Sequence, residues 1–126
     1  TTAPPQALAA AVMAALDLVI EADEARAHLE LLSDRLRKNL TSSGCSLGTS
    51  ASHIIPSVIP GIGNALAVSE ALFERGVFVQ ALRAPTVAPG TERLRWTPTA
   101  LHTLDQIDVA SRAFDEAFRK VSKGLT

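Results

Sequence analysis

Three arginines flank a short loop rich in proline and glycine, and they are the residues of this sequence best suited to bind an anion. Arg83 precedes the loop of residues 84–90, and Arg93 and Arg95 follow it. Because side chains alternate along a strand, a strand at this point places Arg93 and Arg95 on one face and apolar side chains on the other. A guanidinium beside an apolar packing face can bind a carboxylate or phosphate through two parallel hydrogen bonds. An ordinary surface ion pair is an equal alternative.

No generic motif indicates catalysis by this chain. The sequence has no Ser-His-acid trio at a recognised spacing, no HExxH and no P-loop, and residues 60–63 lack the third glycine of a dinucleotide loop and indicate a turn. The histidines are too scattered in sequence to predict a metal site. We expect His28 to be solvated on a helix, His53 to open a strand and His102 to assist a helix entry. Cys45 is expected to be an inert thiol in a surface loop.

Composition and charge exclude several classes of protein. The 126 residues include 12 Lys and Arg against 13 Asp and Glu, a formal net charge of −1. A nucleic-acid binder needs clustered cations, so that class is not expected. One cysteine excludes an internal disulfide and a cysteine-rich zinc site, and it fits a cytoplasmic protein. The apolar run of residues 7–20 contains Asp17 and is too short to span a bilayer, so no membrane association is expected.

The elements that must position the arginines begin with helices. Residues 5–39 predict two helices, or one long helix kinked near residues 21–24, where the pattern turns polar. Thr2 is the expected cap before the first helix. Apolar residues at three- and four-residue spacing predict a buried stripe in the first helix (Leu8, Val12, Ala15, Leu16, Val19) and another in the second (Leu29, Leu32, Leu36, Leu40).

Strands and further helices follow. Residues 53–59, 77–82 and 94–97 have the composition of strands, with Pro56 marking an edge position or a bulge. Asn64 is the expected cap of a third helix, which ends at Gly76. Thr103 and Gln106 form a capping box before a fourth helix, whose inward-facing residues are Leu104, Ile107, Ala110, Phe114, Ala117, Phe118 and Val121.

This order of elements predicts an α+β fold. We expect a small two-layer domain with a mainly antiparallel three-stranded sheet and helices on one face, preceded by the long or kinked N-terminal helix. Aromatic residues make up only 4% of the chain, so its core is lean for its size. We therefore expect the chain to be a piece of a larger protein.

Several motifs together resemble a known family. The stretch FVQALRAPTVAPGTERLRWTPTALHT is similar to the C-terminal domain of the α-oxoamine synthases, fold-type I pyridoxal-phosphate enzymes, which have a PPTVP-type loop followed by G-T-x-R-L-R. The opening TTAPPQALAAA resembles the family's S-T-A-x-P-P segment, and SHIIPSVI resembles its next strand. The motifs follow in the right order over essentially the whole chain.

The resemblance implies an activity. Members of the family condense an amino acid with an acyl thioester, with loss of carbon dioxide, on pyridoxal 5'-phosphate, which serves as the electron sink. The member that these motifs resemble most uses L-alanine and a pimeloyl thioester in biotin biosynthesis. The alternatives are sibling synthases with other amino-acid and acyl substrates, or a non-catalytic binding module. The family is also homodimeric, with active sites shared between subunits.

The resemblance implies functional roles for three residues of this chain. Arg95 matches the arginine that binds the amino-acid carboxylate, and its planar fork sets the orientation of the bonds at the α-carbon. Thr86 matches a position on the substrate side of the site. Thr2 matches a threonine that reaches the phosphate of the neighbouring subunit's cofactor. Arg93 has no comparable role in the family and is interpreted as structural.

The chain also departs from the family pattern. Ala84 and Ala88 replace prolines of the loop, and Pro4 and Gln6 depart from the x-P-P pattern. None of its lysines (Lys38, Lys120, Lys123) carries the family's Schiff-base motif. We expect residues 1–126 to be the C-terminal small domain without the large cofactor-binding domain, to be inactive alone and to bind no pyridoxal phosphate.

Overall fold

The predicted order of elements is confirmed in the structure, a computed structural model that describes residues 3–123. In chain order the elements are α1 (Gln6–Glu21), α2 (Asp23–Ser42), β1 (Ile55–Val58), α3 (Ile62–Phe73), β2 (Gln80–Leu82), β3 (Arg93–Trp96) and α4 (Leu104–Lys123). The α+β fold class is confirmed as well, because the three strands form one antiparallel sheet and the core joins its inner face to the helices.

A break of one residue separates the first two helices, as the polar stretch predicts. Ala22 departs from helical geometry at φ −85° and ψ 36°. The guanidinium of Arg26 donates hydrogen bonds to the carbonyl oxygens of Val19 and Ile20 in the last turn of α1, where carbonyl groups lack the N–H partners of a continuing helix. The Val19 carbonyl also accepts the N–H of Ala22. The break is therefore stabilised by a side chain of the next helix.

The predicted buried stripe of α1 is wrong. No residue of α1, all of which the structure describes, is buried, and Leu8 and Leu16 are 55% and 56% exposed. The other stripe positions, Ala15, Val12 and Val19, are exposed as well. The pairs of elements that pack closely, such as α2 with α4 and α3 with α4, do not include α1. Periodicity identified an apolar face of the helix but not an element to cover it.

The stripe of α2 is confirmed. Leu32, Leu36 and Leu40 have at most 1% of their surface exposed, and the helix packs closely against α4. Leu29, at the start of the stripe, is half-buried. The charged residues of α2 lie mostly on the opposite face, so the helix has the amphipathic pattern of a surface helix.

The sheet has the strand order β1-β3-β2, so the middle strand is the one that carries the arginines. Arg95 lies between Pro56 of β1 and Gln80 of β2. Pro56 is thus on an edge strand, as predicted, where a missing N–H costs no ladder hydrogen bond. Only residues 80–82 of the predicted strand 77–82 pair with β3, and the carbonyl of Val79 accepts a hydrogen bond from the Ser69 hydroxyl at 2.6 Å.

The N-cap of α3 is not the residue that the sequence predicts. The N-cap position is Gly61, not Asn64, and its φ of 96° lies in the region that favours glycine. Asn64 lies in the first turn, and its Nδ2 donates to the carbonyl of Pro60 at 2.8 Å. At the other end of the helix, Gly76 has a φ of 76° and its N–H bonds the Phe73 carbonyl, which confirms the predicted stop.

The last helix completes the core. Its capping box is confirmed, because the Thr103 hydroxyl accepts the Gln106 N–H at 3.2 Å and the Gln106 side chain accepts the Thr103 N–H at 2.9 Å. Phe114 is fully buried and packs edge-to-face on Trp96 and parallel to Phe118. Ile107 and Ala117 are buried as predicted, whereas Leu104 is 40% exposed. The helices thus cover the inner face of the sheet and leave the outer face open for Arg95.

Candidate functional site

The outer face of the sheet displays the candidate arginine. Along β3, Leu94 and Trp96 are buried, Arg93 is half-buried and Arg95 is exposed. The predicted alternation is therefore confirmed, since the two arginines share one face and the apolar residues share the other. The packing of Leu94 and Trp96 into the core fixes the backbone from which Arg95 projects.

A side chain of the neighbouring strand orients Arg95. Nη2 of Arg95 donates a hydrogen bond to Oε1 of Gln80, directly opposite in the register, at 2.5 Å. Among the residues that the structure describes, no acidic side chain pairs with Arg95. The guanidinium is thus held by a neutral amide and keeps its positive charge and further N–H donors for an anion. This arrangement favours the anion-binding interpretation over a surface ion pair.

Arg93, two residues earlier on the same face, is arranged differently. Its Nε donates to the carbonyl of Thr91 at 2.8 Å, and its side chain is half-buried. The contact ties the start of β3 to its own preceding backbone, so the structure supports the interpretation of Arg93 as structural. The two arginines share a face but have different partners.

Thr86 lies in the loop between β2 and β3, which we call the substrate loop (residues 83–91). Its side chain is exposed, and its N–H donates to the carbonyl of Arg83 at 2.9 Å in a tight turn. No hydrogen bond joins Thr86 to Arg95 in the described part of the chain. Thr2 lies outside the described residues.

A buried acid that the sequence analysis missed lies between the loop and the strand. Glu92 has only 3% of its surface exposed, and its carboxylate accepts the N–H of Gly61 at 2.9 Å and that of Gly90 at 3.2 Å. These hydrogen bonds, that from Gly61 first, lower the pKa of the Glu92 carboxyl. Extending the strand alternation back from Leu94 predicts an inward-facing residue 92, and that is the signal that could have revealed it.

The three histidines form no common site. His28 is half-buried rather than solvated, because its Nε2 bonds the carbonyl of His102 at 3.0 Å. His53 lies in the loop two residues before β1, so it does not open the strand. His102 bonds the backbone N–H of Thr99 through Nδ1 at 3.0 Å, which fits its predicted role at a helix entry. Within residues 3–123, no three potential metal ligands lie together.

The cysteine is buried rather than exposed on a surface loop. Cys45 has 5% of its surface exposed, and this burial raises the pKa of its thiol to about 11. Because the thiolate is the reactive form, Cys45 is an inert thiol as predicted. Its contribution is to the packing of the core.

Pyridoxal phosphate does not fit the residues that this chain supplies. Lys38 and Lys120 are exposed on the surfaces of α2 and α4, and the side chain of Lys123 lies outside the described part. Neither described lysine lies in an enclosed cavity where an aldehyde cofactor could be held. The described residues of this chain therefore offer no lysine placed to hold this cofactor.

A polar cavity lies between α2 and α4. It has a volume of about 580 Å³ and contains a network around Asp108. Arg35 contacts both carboxylate oxygens of Asp108 at 2.8 Å, and Asn39 contacts one at 2.9 Å. The hydrogen bond from Arg35, then that from Asn39, lowers the pKa of Asp108 to about 2. The charge of Asp108 is paired with Arg35 within the protein, so this network is a structural contact between the two helices.

No helix in the described part of the chain is both long and apolar enough to cross a membrane.

Comparison with known proteins places these features in a family. A family profile described as aminotransferase class I and II matches residues 1–114. The putative 8-amino-7-oxononanoate synthase of Bordetella pertussis is 41% identical over 121 residues, and the 8-amino-7-oxononanoate synthase of Marinobacter nauticus is 42% identical over 125 residues. These matches cover 96% and 99% of this chain but 30% and 32% of the relatives, so the chain spans about a third of their length.

Solved structures share the arrangement of elements. A serine palmitoyltransferase from Sphingomonas wittichii matches with a TM-score of 0.88 and 29% identity, over 97% of this chain and 31% of that protein. An 8-amino-7-oxononanoate synthase from Francisella tularensis matches with a TM-score of 0.81 over 94% of this chain and 35% of that protein. At 22% identity the second match shows a common fold alone.

Proposed function

Because the chain belongs to the aminotransferase class I and II family, we propose that it forms part of an 8-amino-7-oxononanoate synthase. Such an enzyme is a pyridoxal-phosphate-dependent acyltransferase that condenses L-alanine with a pimeloyl thioester and releases carbon dioxide in biotin biosynthesis. The relatives of that name at 41% and 42% identity support the proposal. In it, residues 1–126 are the C-terminal small domain of the synthase.

The proposal rests on the exposure of Arg95 and on the partner that orients its side chain. An exposed guanidinium, oriented by Gln80 and free of an acidic partner in the described chain, matches a role in binding the carboxylate of the amino acid. Two parallel N–H donors fix the plane of a carboxylate, and so fix the orientation of the α-carbon next to it. Arg95 thus contributes binding and orientation, while the reacting atoms lie elsewhere.

The remaining roles are part of the same proposal. Thr86 lines the substrate side of the site, and Thr2 contacts the phosphate of the neighbouring subunit's cofactor in a homodimer. The pyridoxal phosphate and its lysine belong to a large domain that this chain does not contain, so residues 1–126 alone are inactive. A cytoplasmic location fits the single, unpaired and buried cysteine.

Replacing Arg95 tests the proposal in the full-length synthase. We expect Arg95→Ala to reduce kcat/KM for the amino acid by about 30- to 900-fold, since losing a charge-assisted contact costs about 2–4 kcal/mol. Steady-state kinetics with each substrate varied in turn would measure this effect. Arg112→Ala removes an exposed arginine of α4, away from the outer face, and is the matched control.

Wild-type kinetics for Arg95→Ala, with the control also unchanged, would refute the assignment of Arg95. An equal loss in both variants would indicate a general effect of positive charge rather than recognition of a carboxylate. Arg95→Lys keeps the positive charge but lacks the planar guanidinium with its paired N–H donors. We therefore expect it to recover only part of the activity.

A sibling synthase is the alternative, because serine palmitoyltransferase shares the fold at 29% identity. Glycine C-acetyltransferase and 5-aminolevulinate synthase are the other siblings. Assaying the full-length protein with alanine, glycine and serine against several acyl thioesters distinguishes them. Turnover with alanine and a pimeloyl thioester supports the proposal, and a preference for another pair assigns the protein to the corresponding sibling.

A further inference from the structure

A buried carboxylate connects the two backbone segments beside the arginine face. Glu92 occupies the variable position of the G-T-x-R-L-R motif, directly before β3. With 3% of its surface exposed, it is among the few buried acidic or polar side chains of the described chain. A charge in such a position is costly unless hydrogen bonds satisfy it, so its partners offset the cost of burying it.

Both oxygens of this carboxylate have backbone partners from different segments. Oε2 accepts the N–H of Gly61, in the turn between β1 and α3, at 2.9 Å. Oε1 accepts the N–H of Gly90, near the end of the substrate loop, at 3.2 Å. The backbone carbonyl of Glu92 also accepts the N–H of Ile59 at 2.8 Å. The hydrogen bonds from the backbone N–H groups of Gly61, of Glu92 itself and of Gly90 lower the pKa of the Glu92 carboxyl, so it is charged at neutral pH.

The hydrogen bonds within the substrate loop are local by contrast. Thr86 bonds back to Arg83, and Thr91 bonds back to Ala88 through both its N–H and its hydroxyl. Two short turns of this kind fix the internal shape of the loop but not its position relative to the sheet. The bridge from Gly90 through Glu92 to Gly61 is what connects the loop to the turn before α3.

We propose that Glu92 is a positioning residue for the amino-acid substrate: its carboxylate holds the end of the substrate loop to the turn before α3, so that Thr86 keeps a fixed position relative to Arg95. The inference rests on the proposed function, in which Thr86 and Arg95 contact the substrate. Glu92 itself lies buried behind the loop and acts through these two residues. A shift of about 1 Å in a binding group can cost about 100-fold in rate, so a loose loop has a measurable effect.

Glu92→Gln in the full-length synthase is the direct test. The amide has nearly the same shape, but it offers one acceptor oxygen where the carboxylate offers two, and its NH₂ group faces a backbone N–H. We expect KM for the amino acid to rise by about 10-fold while KM for the acyl thioester stays unchanged. Glu30→Gln removes an exposed carboxylate from α2 and is the matched control.

A second variant keeps the charge. Glu92→Asp has a side chain shorter by one methylene, so it cannot reach both Gly61 and Gly90. We expect it to raise KM for the amino acid as Glu92→Gln does. Amide hydrogen exchange in each variant reports the bridge directly, and we expect faster exchange at Gly61, Gly90 or both than in the wild type.

The outcomes separate the two proposals. An unchanged KM for the amino acid in both variants, even with faster exchange or a lower melting temperature, would show that Glu92 is only structural. Equal rises in KM for both substrates would overturn the inference in the same way, because they would show a general disturbance of the active site rather than a loss of amino-acid positioning. A full-length wild-type protein without synthase activity would instead refute the proposed function. The positioning role of Glu92 would then be refuted as well, because it depends on that function.

Discussion

The first and last helices have similar apolar spacing but opposite environments. α4 buries Ile107, Phe114 and Ala117 against the sheet and the neighbouring helices, whereas α1 buries none of its residues. The face of α4 opposite its apolar stripe is charged. α1 instead has exposed apolar side chains outside its predicted stripe, including Leu18 and Ile20 at 70% and 72% exposure.

The comparison shows what a periodic pattern can and cannot establish. A stripe beside a charged face indicates which side of a helix meets the core, as in α4. A helix that is apolar nearly all round indicates that most of its surface is meant to be covered, and the covering element need not come from the same segment of chain. Under the proposed function, the rest of the synthase or its second subunit covers α1.

The largest expected effect is in α4. Phe114→Ala removes a fully buried ring that packs against Trp96 and Phe118. We expect it to lower the free energy of unfolding by about 3–5 kcal/mol, because the lost contacts leave a cavity in the core. Chemical denaturation of the 126-residue chain measures the change. A loss below about 1 kcal/mol would mean that α4 is not packed as the structure shows.

A pH-dependent effect tests how α4 is joined to α2. Arg35 and then Asn39, both of α2, lower the pKa of Asp108 from its ordinary 3.8 to about 2. The carboxylate therefore adds stability above pH 3.8, and that stability is lost as the pH falls through about 2. We expect Asp108→Asn to be less stable than the wild type at neutral pH, with the difference shrinking in strong acid.

Denaturant midpoints measured across this pH range check the expectation. Asp34→Asn removes an exposed carboxylate from α2 and is the control, since its acid dependence is expected to follow the wild type. A difference between Asp108→Asn and the wild type that stays constant down to the lowest pH would contradict the assigned ion pair. The contribution of Asp108 to stability would then not depend on its charge.

The sequence predicted the features that depend on nearby residues. Alternation placed Arg95 on the open face of the sheet, the Thr103–Gln106 capping box was confirmed, and the resemblance of the motifs to the α-oxoamine synthases was confirmed by relatives at 41% and 42% identity. The fold class followed from the order of such elements. Each of these patterns spans only a few residues, so it can be recognised without knowing the tertiary contacts.

Features that depend on distant residues were missed. Glu92 bonds Gly61, 31 residues away, and His28 bonds the carbonyl of His102, 74 residues away, so neither partner is visible in a local pattern. The cap of α3 was assigned to Asn64 because of its residue type, although the backbone conformation of Gly61 decided it. The roles of Thr86 and Thr2 stay predictions, because they depend on a substrate and a neighbouring subunit.

The smallest effect expected in the 126-residue chain is in α1, and it completes the comparison of the two helices. Leu16→Ala changes a side chain that is 56% exposed in this chain, and alanine is a better helix former than leucine. We therefore expect the free energy of unfolding of the 126-residue chain to change by less than about 0.5 kcal/mol. In the full-length synthase the same variant is expected to cost about 2–5 kcal/mol, because the covered leucine would leave a cavity. A large loss of unfolding free energy already in the 126-residue chain would show that α1 packs on the core of this chain. A small loss in both proteins would show that nothing covers this face of the helix.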